Sequence, residues 1–213
     1  MKMKRIVTNG IGYLERLTGS SEWYWGSDYT SGDLYEAREL FELGRDIRRN
    51  RLVLVHFPDG RVVVPVEARD SQYFGRPVFF NGLVALLLVD FPAGLVRLLG
   101  YDDGRGDIVT VAELPLDEAG DCYNLMPAVS PLSIVQQTSD HRFRILWPDR
   151  ADFPLEPSES FDRRDGDRLV FSRWYEDPDY RETVVIRDLR GQVLDSFPGT
   201  TLDMPDGQRW LLV

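Results

Sequence analysis

Ser21-Glu22-Trp23-Tyr24-Trp25-Gly26-Ser27-Asp28-Tyr29 returns near the other end of the chain as Ser172-Arg173-Trp174-Tyr175-Glu176-Asp177-Pro178-Asp179-Tyr180. Both segments read Ser-x-Trp-Tyr-x-x-x-Asp-Tyr. Each is followed by a Pro-Asp-Gly turn, Pro58-Asp59-Gly60 and Pro205-Asp206-Gly207, and then by a strand-like run, residues 61–66 and 208–213. Tryptophan is rare, so a chance match is a poor explanation. Internal repetition marks folds that stack one supersecondary unit on the next.

The middle of the chain keeps the same rhythm with weaker identities. Asn81-Gly82 leads into 83–91, the turn Pro92-Ala93-Gly94 into 95–101, and the turn at 102–106 into 108–116. Later, Asp165-Gly166 leads into 168–175, with further runs at 183–188 and 192–197. A less regular unit holds 132–137 and 142–147 across the turn at 138–141. Val, Ile, Phe, Tyr and Trp suit a pleated, half-buried surface. Gly supplies positive φ and Asp bonds its own backbone, so Asp-Gly and Pro-x-Gly punctuate the runs. Short strands at even spacing predict an all-β chain of about four repeated units. Each unit has three or four antiparallel strands. The expected layout is β-propeller-like in a single domain over 1–213, with a β-sandwich or barrel as the alternatives. The Trp-Asp and kelch signatures of known propeller repeats are absent.

Residues 32–50 resist this reading. Asp33 could cap a helix, and Leu40, Leu43 and Ile47 share one helical face. Aligning the two copies instead lays residues 33–37 over the strand-like 183–187. A short helix ending at Gly44 and an extended hairpin both stay open.

Composition bounds the function. Hydrophobic residues make up 43% of the chain and aromatics 12%, enough for a core rich in flat side chains. A formal charge of −10 repels phosphate, so neither nucleic acid nor an anionic membrane surface is expected as a partner. The longest apolar run, 83–89, is too short to span a bilayer. The single cysteine, Cys122, permits no internal disulfide, and a cytoplasmic location is the default expectation.

Few residues suggest chemistry. His56 and His141 lack the company of a metal site, and no cofactor motif occurs, so neither metal nor cofactor is expected. Cys122 reads as a small buried hydrophobe. Asp28, Asp33, Glu36, Asp90, Glu176, Asp177 and Asp179 could in principle supply a carboxylate pair for glycoside hydrolysis, though a solvated surface explains them more simply. The distinctive residues are those of the repeated segment. Trp23, Tyr24, Asp28 and Tyr29, with Trp174, Tyr175, Asp179 and Tyr180, are candidate ligand-binding residues that would line a shared pocket for a sugar or a cation. Packing between units explains them better, because a repeat must bury its face against its neighbour. The expected function is a non-enzymatic binding or scaffold domain, with a protein partner or a second copy of the chain on an open strand edge. The alternative is a carbohydrate-binding or glycoside-processing domain.

Overall fold

A computed structural model describes residues 3–204 and 208–213. The chain divides into two compact units, Met1–Pro127 and Ala128–Val213.

In the first unit, β1 (Glu15–Arg16), β2 (Trp23–Ser27), β3 (Leu52–His56) and β4 (Val62–Val63) form an antiparallel sheet in chain order. The second sheet contains β5 (Gln72–Phe74), β6 (Val78–Phe80), β7 (Leu83–Asp90), β8 (Leu95–Asp102) and β9 (Asp107–Pro115). It is only four strands wide. β5 pairs with Leu88–Asp90 and β6 with Leu83–Ala85, so the two lie end to end along one edge of β7. Leu52 and Leu54 of β3 meet Trp23 and Trp25 of β2, and Val84, Leu86 and Leu88 of β7 close the same core. Burying each such side chain contributes about 1.5–3 kcal/mol. The strand period of two sends Ala85, Leu87 and Val89, also buried, to the other face of β7.

The segment 32–50 resolves to the helix. Helix α1 (Leu34–Glu42) begins on a capping box, with the Glu36 N–H donating to Asp33 Oδ1 at 3.0 Å and the Asp33 N–H to Glu36 Oε2 at 2.9 Å. It ends where Gly44 takes φ +66, and the Gly44 N–H donates to the Phe41 carbonyl. Phe41 stacks on Phe91 at 5.4 Å, which fastens the helix to the second sheet.

The second unit carries two more meanders. The boundary between the units falls within β10 (Leu125–Ala128), which opens the sheet continued by β11 (Ser133–Gln137), β12 (Arg142–Trp147) and β13 (Ala151–Pro154). Next come β14 (Glu159–Asp165), β15 (Arg168–Tyr175), β16 (Arg181–Arg187) and β17 (Val193–Pro198). A hairpin of β18 (Thr200–Asp203) and β19 (Arg209–Leu212) follows. Phe143, Phe153, Phe161 and Phe171, one from each of β12 to β15, form the core, with Phe143 4.7–5.4 Å from the other three rings.

The layout is therefore all-β and β-propeller-like. Four antiparallel sheets and a final hairpin follow one another along the chain, and neighbours in each sheet are neighbours in sequence except that β5 and β6 share one edge of β7, unlike the crossed connections of a sandwich. The register of the sequence repeat needs correction. Residues 33–37, laid over the strand 183–187, include the cap and first turn of α1. The turn at Pro58-Asp59-Gly60 joins β3 to β4 inside a four-stranded sheet. The turn at 205–207 lies outside the described residues, and the strand after it, β19, belongs to the terminal hairpin. The structural unit is the four-stranded meander, and both matched segments reach its second strand, β2 and β15, but Trp23 begins β2 whereas Trp174 lies next to the end of β15.

Candidate functional site

The first copy of the repeated segment builds β2 and the turn after it. Trp23 is only 5% exposed and belongs to the core. Its outer side is covered by the His56 ring, 4.9 Å away, and by the Arg61 guanidinium, 5.4 Å from its centroid. Tyr24 points to the opposite face, half-buried between Arg16 and Val55. Asp28 accepts two hydrogen bonds from Arg51, from its backbone N–H and from Nε, each 2.9 Å long, and so closes the β2–β3 ladder. Tyr29 stands out from the surface on a left-handed backbone, φ +45.

The second copy has a different setting. Trp174 lies on β15 opposite Glu182 and is 43% exposed. Tyr175 lies under the Arg181 guanidinium at 4.6 Å. Arg181 donates to the backbone carbonyls of Asp177 and Asp179, pinning the hairpin tip. The Tyr180 hydroxyl donates to Glu182, which holds the phenol proton more tightly than usual.

Several of the other carboxylates have structural partners. Asp33 and Glu36 cap α1. Asp90 accepts from Gln72 Nε2 at 2.7 Å and Arg97 Nη1 at 3.0 Å. Glu159, which the sequence reading passed over, is buried and clamped by Arg187 at 2.7 and 2.8 Å and by Arg173 at 3.1 Å. Burial would raise its pKa, but the Arg187 and Arg173 bonds override this and hold the carboxyl below its ordinary value.

His56 Nδ1 lies 2.8 Å from Asp59 Oδ1 across the β3–β4 turn. The Arg61 N–H donates to the same Asp59 oxygen, and this bond leads in holding that carboxyl below its usual range. Asp103 sits beside them, bidentate with Arg61 at 2.8 and 2.6 Å. A histidine–aspartate pair becomes catalytic when it activates a nucleophile. Among the described residues no serine, threonine or cysteine hydrogen-bonds His56, so this pair closes a hairpin. Burial pushes the Cys122 thiol up to about 12, and the group is therefore a poor nucleophile. No group of His, Cys, Asp or Glu able to hold a metal ion occurs among the described residues.

Two cavities flank Tyr29. One, of about 300 Å³, is lined by Tyr13, Glu15, Trp25, Asp28 and Tyr29. The other, of about 140 Å³, lies toward Tyr35, Arg76 and Cys122. Asp28 and Tyr29 of the candidate set reach the larger cavity, whereas Trp23 and Tyr24 do not line it. Tyr13 and Glu15 were missed, and their one sequence signal is Gly10-Ile11-Gly12, whose glycines leave the cavity wall without side chains.

In the second unit large apolar side chains stay in contact with water on three successive strands. Val193, Leu194 and Phe197 of β17, Leu202 of β18, and Trp210, Leu211 and Leu212 of β19 are 37–55% exposed. Among the described residues no helix is long and apolar enough to cross a membrane.

No family model and no curated protein matches the chain. Among the solved structures that show similarity are two of variants of prolyl oligopeptidase B from Galerina marginata bound to a 35mer hydrolysis and macrocyclization substrate. Each has a TM-score of 0.47, with 10% and 11% identity, over 91% of this chain. The chain spans 29% of the length of those proteins.

Proposed function

We propose that the chain is a non-enzymatic binding domain that engages a protein partner through the exposed apolar side chains of β17, β18 and β19. The observation that carries the reading is that exposure, 37–55% for seven large apolar residues where an isolated surface would favour polar ones. Trp210 and Phe197 are the kind of anchor that dominates interface energy. On β17 partner binding would proceed through the side chains and not by strand addition. The Asp195 carboxylate already accepts from the Ser196 N–H on the edge strand, and Pro198 offers no donor. The engagement of Asp28, Asp33, Glu36, Asp90 and His56 in structural bonds supports binding over catalysis.

Sedimentation velocity from low micromolar to near-millimolar protein tests whether the partner is a second copy. A mass that rises with concentration, and stays monomeric in a Leu194→Asp/Trp210→Glu variant, identifies self-association. Constant mass, with a partner crosslinked to β17–β19 in the wild type and absent with the variant, identifies a different protein. Constant mass and identical crosslinks in both forms would refute the reading.

A further inference from the structure

The 300 Å³ cavity beside Tyr29 is a built feature of the first unit. Its floor depends on Gly26, where a Cβ would come within 2.5 Å of the Tyr13 carbonyl oxygen, so the 10–13 segment and β2 approach as closely as backbones allow. Its rim carries two aromatic rings in contact with water, Tyr13 at 72% and Tyr29 at 49% exposure. The Tyr29 backbone is pinned on both sides. Its N–H donates to Ser27 Oγ at 3.3 Å, and its carbonyl accepts from the Gly32 N–H at 3.1 Å. These bonds hold a bulky residue at φ +45, a sparsely populated conformation, and fix the Tyr29 backbone beside the cavity.

Both carboxylates at the cavity already have cationic partners. Glu15 Oε2 takes Arg76 Nη2 at 2.5 Å, and Asp28 takes Arg51 Nε at 2.9 Å. The formal charge of the two pairs is zero, so a free anion or cation gains little net Coulomb attraction there. What remains is two arginine-bonded carboxylate acceptors with the Ser27 hydroxyl, beside two tyrosine side chains. Tyr29 responds to that set: burial first and then the Glu15 charge raise its phenol pKa, while Arg76 opposes them. Neighbouring hydroxyls that donate and accept together, on a ring with an apolar face, match this chemistry. The volume lies at the lower end of the roughly 300–1,000 Å³ range of ligand sites, which suits one ring at a time.

From this arrangement we propose that the cavity between Tyr13 and Tyr29 binds a neutral, polyhydroxylated ligand, one ring of an oligosaccharide. The site stands in the first unit and is independent of the protein partner proposed for the second.

Isothermal titration of the full chain with maltotriose, cellotriose, xylotriose and triacetylchitotriose tests it, with arginine, choline and inorganic phosphate as ionic probes. The expected result is saturable binding of at least one oligosaccharide in the millimolar range or tighter, and none of the ions. Tyr13→Ala should weaken that binding about tenfold, the loss of one aromatic contact worth about 1.4 kcal/mol. Tyr29→Asn, which tolerates the left-handed backbone, should do the same without lowering the melting temperature. The Leu194→Asp/Trp210→Glu variant should bind the sugar as the wild type does, so this site and the partner face fail or survive separately. No binding by any of the four sugars, unchanged affinity in both tyrosine variants, or saturable binding of an ion in their place would each overturn the proposal.

Discussion

Trp23 and Trp174 hold the same place in the same Ser-x-Trp-Tyr-x-x-x-Asp-Tyr pattern, yet one is 5% exposed and the other 43%. The local sequence is shared and the neighbours are not. Trp23 opens β2 and faces Leu52, Leu54 and Leu88 across a filled core. Trp174 lies beyond the buried Leu169–Phe171 stretch of β15, near a hairpin tip, with Glu182 across the strand pair. A repeated segment therefore carries no fixed role. Its environment is set by where the strand enters the sheet and by what the partner strand supplies.

Substitutions can break or sharpen that contrast, and urea unfolding followed by far-ultraviolet circular dichroism measures each. Trp23→Ala should have the largest effect, about 3–5 kcal/mol, because it removes a large buried ring and leaves a cavity. Glu159→Gln should follow at about 3 kcal/mol, since it leaves two arginines around a neutral group in the sheet that also carries Trp174. The same variant predicts a pH effect. Glu159 titrates below its ordinary value of 4.5 in the folded chain, so its contribution is complete above that value and is lost as pH falls through the folded pKa. Wild-type stability should fall as pH drops below 4.5, while the acid limb of Glu159→Gln should be flatter. Equal limbs would show that the clamp contributes nothing. Asp28→Ala should cost about 1 kcal/mol, for the loss of two hydrogen bonds from a half-exposed arginine. Trp174→Ala should stay within about 0.5 kcal/mol. If Trp174→Ala matched Trp23→Ala, the contrast between the copies would be false.

Much of this fold is legible in the residues. The strands 83–90, 95–102, 133–137, 142–147 and 168–175 carry β-branched and aromatic side chains between turn residues, and they form within a residue or two of expectation. β14 is not legible in that way. Its sequence Glu-Ser-Phe-Asp-Arg-Arg-Asp looks solvated, but Glu159 and Arg164 are buried. Arg164 is satisfied by Ser133 Oγ at 2.8 Å, Asp149 at 2.7 Å and the Gly166 carbonyl at 2.8 Å. Hydrophobic periodicity does not register a strand whose inward side chains are ions held by partners distant in sequence. β5 and β6 escape notice because Gly75-Arg76-Pro77 cuts one edge into two short pieces. The cavity was half legible. Asp28 and Tyr29 stood out through the repeat, while Tyr13 and Glu15 reach the same cavity only because Gly26 lets the chain fold back upon itself.

Cys122 gives the molecule a clock. Its side chain is almost fully shielded, and burial pushes its thiol up to about 12, so near neutral pH it offers a labelling reagent neither access nor thiolate. Modification must then wait for the first unit to open around it. With no other thiol in the chain, the rate at which a maleimide reacts counts those openings one by one, and it reports on the unit that holds the Tyr13–Tyr29 cavity without any added probe.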